Sequence, residues 1–249
     1  MARETETARR TSDGQPGPGD FIWQRIERQG RPALTHTRIA AAAVELADAG
    51  GLEALSMRRL AQQLDVATMG LYRYVHGKDE LVELMADAVY ADTASTAADA
   101  DASWRAAMER TAHELRALFS QHPWLISLGA TSPLTPNATR YTDRALASLA
   151  GTGLDEDTKM AVLVTVRSYV VGETGSRLAL STFIKQQGAS GMNEVRERLA
   201  PRMSWLLESG KYPAFRRYIR GGTRKDDTDW QFQLGLDCIL DGIATRLGI

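Results

Sequence analysis

One segment of the chain carries consecutive side chains that can read the major groove of DNA. In Thr68-Met69-Gly70, the threonine can hydrogen-bond a base or a phosphate, and the methionine can contact a thymine methyl group. The glycine lets the backbone approach the groove closely. Tyr72 and Tyr74 follow, and their phenolic hydroxyls can donate to phosphate oxygens. The combination predicts that this segment binds duplex DNA.

Four further residues extend the predicted contact surface. Ser56 and Lys78 each stand at a predicted helix N-terminus, where backbone N–H groups attract anions. Arg58 can make a bidentate contact with a base edge, and Arg73 points outward beside Tyr72 on the predicted helix. A plain surface helix would carry Glu, Lys and Gln at such positions. The contrast favours DNA recognition over an ordinary helical hairpin in which the tyrosines pack under a lid.

Short helices joined by a tight turn must position these side chains. We expect helices at about 35–49, 56–64 and 67–75, and a fourth that begins at residue 78. Gly50-Gly51 end the first helix, Ser56 caps the second, and Asp65-Val66 form the turn. The inward-facing positions of the second and third helices are Leu60, Ala61, Leu64, Ala67, Leu71 and Val75. The pattern is a helix-turn-helix, which places its second helix in the major groove.

At these residues the chain resembles the tetracycline-repressor (TetR) family. The resemblance is carried by Leu55-Ser56-Met57-Arg58-Arg59-Leu60-Ala61, by Leu71-Tyr72-Arg73-Tyr74-Val75, and by Lys78 followed by Leu81. It implies base contacts at Arg58, Thr68, Met69 and Gly70, and phosphate contacts at Ser56, Tyr72, Tyr74 and Lys78. Tyr74 stands where the family often has histidine, and Gly70 stands where it often has a polar side chain. The function that the resemblance implies is a transcriptional repressor that binds double-stranded operator DNA.

The remainder of the chain has the pattern of a second helical domain. We expect helices at about 104–122, 136–150, 155–187, 193–209 and 228–247, and no strand pattern competes with them. The predicted fold is all-α, with an N-terminal three-helix domain that holds the helix-turn-helix and a C-terminal helical domain. The resemblance assigns the second domain to dimerisation and effector binding. The predicted divisions are a disordered tail at 1–20, an N-terminal arm at 21–33, a DNA-binding domain at 34–92 and the C-terminal domain at 102–249.

An apolar stripe follows the last predicted helix. Its members recur at helical spacing and are Phe232, Leu236, Ile239, Leu240, Ile243 and Leu247. Gly235 and Gly242 lie seven residues apart and permit close helix approach. The stripe fits either the core of one subunit or the interface of a homodimer. The family resemblance favours the dimer, as does the need for two recognition helices about 34–36 Å apart to read successive major grooves.

The long helix at 155–187 is predicted to form either a second interface helix or the wall of a pocket. By resemblance to the family, a small-molecule pocket lies between this helix and those that precede it. The side chains expected to line the pocket are Trp124, Tyr141, Tyr169, Glu173 and Trp205. Each aromatic residue also fits a core position, and Glu173 also fits a simple pair with Arg177 one turn later. An effector bound there is expected to release the protein from DNA, through a coupling free energy of about 1–3 kcal/mol.

Charge is distributed unevenly along the chain. The net charge is −1, yet residues 21–78 carry eight cations and five anions, a net +3. A basic N-terminal portion suits phosphate contacts, which need Lys and Arg. No apolar run approaches the roughly 20 residues of a membrane span, and residues 1–20 lack the apolar segment of a secretory signal. We therefore expect a cytoplasmic protein.

Other chemistry finds little support in the sequence. The histidines, His36, His76, His113 and His122, form no pair at i, i+4 and no HExxH motif, so neither a metal nor a cofactor is expected. The absence of a GxSxG elbow and of a phosphate-binding Gly-Lys motif argues against an enzyme. The single cysteine, Cys238, is expected to be buried on an apolar helix face. The alternative function is a helical carrier that sequesters a small molecule without specific DNA binding.

Overall fold

The structure, a computed structural model, describes residues 22–23, 34–95, 103–129 and 133–249. Every regular element in these ranges is helical, which confirms the all-α prediction. The predicted tail at 1–20 lies outside the described residues, and so does the predicted arm apart from Ile22 and Trp23. Ile22 is only 2% exposed and belongs to the hydrophobic core. This part of the predicted arm is therefore packed. Burial of the isoleucine side chain stabilises the fold, because transfer of apolar surface out of water lowers the free energy.

Residues 34–95, here called the N-terminal half, form four α-helices. They are α1 (His36–Ala54), α2 (Met57–Gln63), α3 (Thr68–Leu71) and α4 (Lys78–Ala91). Thr35 Oγ1 accepts a hydrogen bond from the Arg38 amide at the start of α1, and Ser56 Oγ accepts one from the Arg59 amide at the start of α2, both at 3.2 Å. Each cap satisfies an N–H group that has no partner within its helix. The predicted cap at Ser56 is confirmed.

The predicted break at the two glycines is real, but the helical path resumes after it. The backbone of α1 leaves helical geometry at Gly51, where φ is 73°, and the element then continues to Ala54. This φ lies in the left-handed region, which glycine adopts without the steric penalty of a Cβ atom. The change of direction lets the chain turn from α1 into α2.

The third helix is shorter than predicted. α3 ends at Leu71, and the chain continues as a turn in which the Val75 amide donates to the Leu71 carbonyl. Gly70, Tyr72, Tyr74 and Val75 all have lower helix propensity than alanine or leucine, which favours the early end. Ala67, predicted to face inward, is exposed because it precedes α3 in an extended conformation.

Residues 103–249, here called the C-terminal half, contain six longer helices among the described residues. They are α5 (Trp104–Gln121), α6 (Pro136–Ala147), α7 (Glu156–Gln186), α8 (Met192–Glu208), α9 (Pro213–Gly221) and α10 (Thr228–Leu247). Short 3₁₀ helices occupy Asp92–Ser95, Pro123–Leu128 and Ala150–Thr152. The bounds of α10 agree with prediction, whereas α9 and the 3₁₀ helix at 123–128 were not predicted. A proline at the first helical position marked both elements in the sequence.

One hydrophobic core joins the two halves. α4 packs against α1 on one side and against α6 on the other, and α5 packs against α7. α10 lies on α5 and α7. The core cluster runs without a break from Leu60 and Leu71 to Val166 and Phe232. Residues 67–75, here called the recognition segment, and the long C-terminal helices therefore belong to one packed body.

The apolar stripe on α10 splits between two roles. Phe232, Leu236 and Leu240 are fully buried within their own subunit, packed against α5 and α7. The prediction that these three contact a second subunit is wrong, because the apolar faces of α5 and α7 cover them. The other three predicted interface residues, Ile239, Ile243 and Leu247, are partly exposed. Cys238 is exposed on the opposite side of the helix, so the prediction that it is buried in the subunit is also wrong.

Candidate DNA-binding and effector sites

The helix-turn-helix has one exposed face, and its opposite face is buried against the core. Leu60, Leu71 and Val75 have no exposed surface and fix α2 and α3 on the core. On the opposite side Met69 is 76% exposed and Tyr72 is 41% exposed. Large apolar and aromatic side chains that are exposed together are typical of a binding surface.

The polar members of the predicted DNA surface lie around these two residues. Arg58 on α2 and Arg73 after α3 are exposed, and Thr68 and Gly70 are half-buried. A Cβ atom added at Gly70 would meet no described atom within 4 Å. The packing of the chain itself therefore does not demand glycine at this position.

Three predicted phosphate-contacting residues also hold the motif together. Ser56 caps α2, and Lys78 Nζ donates to the Leu52 carbonyl at 2.6 Å, across the break in α1. The Tyr74 ring meets the His36 ring edge-on at 5.3 Å, and His36 Nε2 lies 3.2 Å from the Tyr74 carbonyl oxygen. Side chains that are fixed in this way lose little conformational entropy when they bind.

The structure does not bring the five predicted pocket residues together. Trp124 lies against the N-terminal half, where its Nε1 donates to Asp48 at 2.8 Å. Tyr141 is buried, and its hydroxyl donates to the Thr111 carbonyl at 2.9 Å. Burial raises the pKa of the Tyr141 hydroxyl well above its ordinary value, and nearby Glu114 adds to the effect. Trp205 is 70% exposed on α8.

Tyr169 serves the packing of α7 on α10. Its hydroxyl donates to the Phe232 carbonyl at 2.7 Å, and a Cβ atom built on Gly235 would lie only 2.3 Å from that hydroxyl oxygen. A side chain at 235 would therefore force the Tyr169 ring to move. The two glycines of α10 differ here, since a Cβ atom at Gly242 would meet nothing within 4 Å.

Glu173 is the predicted pocket residue that borders a large cavity. The cavity of about 780 Å³ lies between α7, the start of α8 and the residues before α10. Glu173 lies between two guanidinium groups, with Arg116 Nε at 3.7 Å and Arg177 Nε at 3.8 Å. Both Nε atoms are buried, and no hydrogen-bond acceptor reaches either one within the described residues. Sequence reasoning placed the pocket on the side of the preceding helices, whereas this cavity opens toward the elements that follow α7.

A second cavity and an exposed apolar face complete the C-terminal half. The second cavity, of about 670 Å³, lies between α5 and the end of α6, with Arg110, Glu114 and Arg144 among its lining residues. Exposed residues recur at four-residue spacing on α7 (Met160, Val164, Ser168, Gly172) and on α10 (Leu234, Cys238, Gly242). Both stripes combine apolar with small side chains, which suits close helix packing.

The described residues contain neither a membrane-spanning helix nor a cluster of metal-ligating side chains. No helix in the described part of the chain is both long and apolar enough to cross a bilayer. The same residues contain no group of three or more His, Cys, Asp or Glu side chains arranged to hold a metal ion.

Comparison with known proteins identifies the family. The model of the bacterial regulatory proteins of the tetR family matches residues 39–85, and the model of the tetracyclin repressor-like C-terminal domain matches residues 96–247. The chain belongs to the TetR family. It is therefore a DNA-binding transcriptional regulator, in a family of regulators rather than of enzymes.

Relatives of this TetR-family chain cover almost its whole length. The HTH-type transcriptional repressor DrrR1 of Streptomyces coeruleorubidus is 36% identical over 95% of this chain and 90% of its own length. An HTH-type transcriptional regulator of Saccharopolyspora erythraea is 33% identical over the full length of both proteins. Among solved structures, the TetR-family protein ActR of Streptomyces coelicolor in complex with actinorhodin is 27% identical. The structural match covers 88% of this chain and 100% of the ActR chain, with a TM-score of 0.68.

Proposed function

We propose that this TetR-family regulator is a homodimeric repressor that a small-molecule effector releases from its operator. The observation that carries the proposal is the exposed recognition face. Met69 and Tyr72 are exposed to water there, whereas Leu60, Leu71 and Val75 on the opposite face are fully buried. We propose residues 34–92 as the DNA-binding domain and residues 102–249 as the effector and dimer domain. Its operator is double-stranded DNA in the cytoplasm.

The proposed operator contacts divide into those that specify sequence and those that position the protein. Base readout falls to Arg58, Thr68, Met69 and Gly70, where the open space at Gly70 admits a base edge. Phosphate contacts fall to Ser56, Tyr72, Arg73, Tyr74 and Lys78, which surround that face.

Selection from a random pool of DNA duplexes tests this proposal, followed by fluorescence anisotropy on the selected sequence. Thr68→Ala is expected to reduce discrimination between the selected duplex and its point variants by about 1–3 kcal/mol per position, while nonspecific affinity stays. Tyr72→Phe is expected to weaken all duplexes alike, because it removes a phosphate contact. A matched control is Thr139→Ala on α6, which also removes one exposed hydroxyl. Weak binding with no sequence preference in the wild type would instead favour a carrier protein.

The proposed dimer interface lies on the exposed stripes of α7 and α10. Val164 is 47% exposed and Leu234 is 46% exposed, although both lie in the middle of long helices. Ile239, Ile243 and Leu247 border the α10 stripe and are partly exposed, so they remain proposed interface residues. Two helices from each subunit would then bury these apolar side chains in a four-helix arrangement.

Charge insertion tests the interface. Leu234→Arg is expected to convert the dimer to monomer, because a buried unpaired charge opposes association. The matched control is Leu134→Arg, at a residue that is 95% exposed in the connection before α6. Light scattering after size-exclusion chromatography gives the mass of each variant. A Leu234→Arg protein that remains dimeric would move the interface elsewhere.

The proposed effector site is the cavity beside Glu173. Its volume of about 780 Å³ lies within the usual range for small-molecule sites. Its charged lining residues are Glu173, Arg177, Glu194, Arg196, Lys225 and Asp226. Equal numbers of acids and bases suit an uncharged polar molecule better than a polyanion. The Nε atom of the lining residue Arg177 is buried and has no hydrogen-bond partner among the described residues.

Ligand titration tests the site, with actinorhodin as the first probe in a panel of aromatic polyketides, since ActR was solved with that compound. A compound that releases the wild-type protein from its selected duplex is expected to bind at least about tenfold more weakly to Glu173→Ala, a loss of about 1.4 kcal/mol. Glu156→Ala removes an exposed carboxylate from the same helix as a control. Equal affinity of both variants for the releasing compound would place the effector site elsewhere.

A further inference from the structure

Two carboxylates of the N-terminal half each accept several hydrogen bonds from the C-terminal half. The first is Asp48 on α1. Its Oδ1 accepts from Trp124 Nε1 at 2.8 Å and from His122 Nδ1 at 2.9 Å, and its Oδ2 lies 3.0 Å from the same histidine nitrogen. We call these three residues the α1 latch.

The second carboxylate is Asp87 on α4. Its Oδ1 accepts from the Asn137 amide at 2.6 Å, and its Oδ2 accepts from Asn137 Nδ2 at 2.7 Å. The same Nδ2 also reaches the Asp87 carbonyl oxygen at 3.2 Å. We call this pair the α4 latch.

The α4 latch is largely shielded from water, and so are the two donors of the α1 latch, whereas Asp48 itself is exposed. Asp87, His122 and Trp124 are 7%, 5% and 4% exposed. Hydrogen bonds to a carboxylate are strong, and low local polarity strengthens them further. Their short, directional geometry fixes orientation in a way that apolar packing alone does not.

The donors of both latches lie on either side of the connection between α5 and α6. His122 and Trp124 lie at its start, and Asn137 lies in the first turn of α6. The acceptors lie on α1 and α4, which pack on each other and flank the helix-turn-helix. α4 begins at Lys78, directly after the recognition segment. The start of this connection and the first turn of α6 therefore hold α1 and α4, the two helices that flank the recognition segment.

We propose that Asp48 and Asp87 are positioning residues that fix the orientation of the helix-turn-helix on the C-terminal half. In the homodimer of the proposed function, on which this inference rests, they set the half-site spacing that the two recognition segments read. Insertion of one base pair rotates one half-site against the other by roughly 34–36°. A rigidly held pair of recognition segments cannot follow that rotation, whereas a loosened pair can.

The test uses the duplex obtained by selection, in versions whose half-site spacing is changed by −1, 0 and +1 base pair. Anisotropy gives the Kd of each duplex for the wild type, for Asp48→Asn/Asp87→Asn, and for the control Asp143→Asn/Asp157→Asn, which alters two exposed carboxylates. The wild type and the control are expected to prefer the selected spacing by at least about tenfold. The latch variant is expected to prefer it by only about two- to threefold.

The ratio between spacings separates positioning from general destabilisation. Loss of folded protein weakens binding to every duplex by the same factor and leaves the ratio unchanged. Exchange of donor and acceptor in the α4 latch, by Asp87→Asn with Asn137→Asp, is expected to restore part of the preference. Where the double variant does not fold, Asp48→Asn and Trp124→Phe carry the same comparison singly.

A latch variant that keeps the wild-type spacing preference would overturn the inference and leave the proposed function intact. A wild-type protein that binds all duplexes alike would overturn the proposed function, and the inference with it. Wild-type preference for one sequence but equal affinity at all three spacings would show that the orientation is not fixed, and would overturn the inference alone.

Discussion

The two halves of the molecule use their polar and aromatic side chains in different ways. In the helix-turn-helix, Met69 and Tyr72 are exposed to water on the face opposite the core, where they are open to a partner outside the chain. In the C-terminal half, Tyr141 and Tyr169 direct their hydroxyls to backbone carbonyls inside the chain. The first pattern is that of a recognition surface, and the second is that of packing. An aromatic residue at helical spacing is therefore not by itself a sign of function.

α10 provides the sharpest form of this contrast, because its two faces differ in a measurable way. Phe232 is fully buried, whereas Leu234 is 46% exposed. Phe232→Ala is expected to lower the free energy of unfolding by about 3–5 kcal/mol, because it leaves a cavity in the core. Leu234→Ala is expected to change unfolding of the isolated subunit by less than about 0.5 kcal/mol. Denaturant unfolding at several protein concentrations separates the stability of the subunit from the free energy of dimerisation, because only the second depends on concentration.

The same experiment can break the contrast between the two faces. Leu240→Ala is a second buried control on the face of Phe232 and is expected to cost about 2–5 kcal/mol. Equal losses for Phe232→Ala and Leu234→Ala at low protein concentration would mean that the two faces are not distinct in the subunit.

The contact between Tyr169 and Gly235 gives the next largest expected effect. Gly235→Ala places a methyl group where the Tyr169 ring now lies, with a separation of 2.3 Å from its hydroxyl oxygen. Overpacking of this kind is expected to cost about 1–3 kcal/mol, against a gain of roughly 0.8–1 kcal/mol from alanine in a helix. In a Tyr169→Ala background the clash is absent, so Gly235→Ala is expected to be neutral or stabilising. Thermal unfolding of the wild type, the two single variants and the double variant gives a double-mutant cycle. Additive changes in stability would contradict a clash between the two side chains.

Sequence reasoning was most accurate where the signal was local. The cap at Ser56, the break at Gly51 and the buried Leu60, Leu71 and Val75 follow from neighbouring residues, and the structure contains all of them. The bounds of α10 also agree with prediction, and in the structure Asp227 caps its start and Gly248 follows its end. Local propensity and capping signals indicate where such helices begin and end.

Tertiary contacts decided the features that sequence reasoning missed. A stripe of six apolar residues on α10 gives no sign that α5 and α7 cover only half of it. Trp124 fits a pocket wall by its type, but its partner Asp48 lies 76 positions away in the sequence. Such pairs join distant parts of the chain, and periodicity within one helix carries no information about them.

A smaller effect is expected at Lys78, which tests whether one residue serves both packing and binding. Its ammonium group donates to the Leu52 carbonyl at 2.6 Å and also lies at the edge of the proposed DNA surface. Lys78→Met is expected to cost about 0.5–1.5 kcal/mol of stability through the lost hydrogen bond. It is also expected to reduce the salt dependence of DNA binding by about one counterion. An unchanged salt slope would restrict Lys78 to a packing role.

The smallest expected effect is confined to alkaline pH and concerns Tyr141. Burial raises the pKa of its hydroxyl in the folded state well above 10.0, the value expected in the unfolded chain. Its contribution to stability is therefore complete below pH 10 and is lost as the pH rises toward the folded-state pKa, because only the unfolded chain ionises. Tyr141→Phe removes the hydroxyl, so its unfolding free energy is expected to fall less steeply with pH in this range than that of the wild type. Urea unfolding at pH 8 to 11 measures both slopes, and Tyr72→Phe, at an exposed tyrosine, is the matched control. Parallel slopes for wild type and Tyr141→Phe would mean that this hydroxyl meets water and that the C-terminal half is more open around α6.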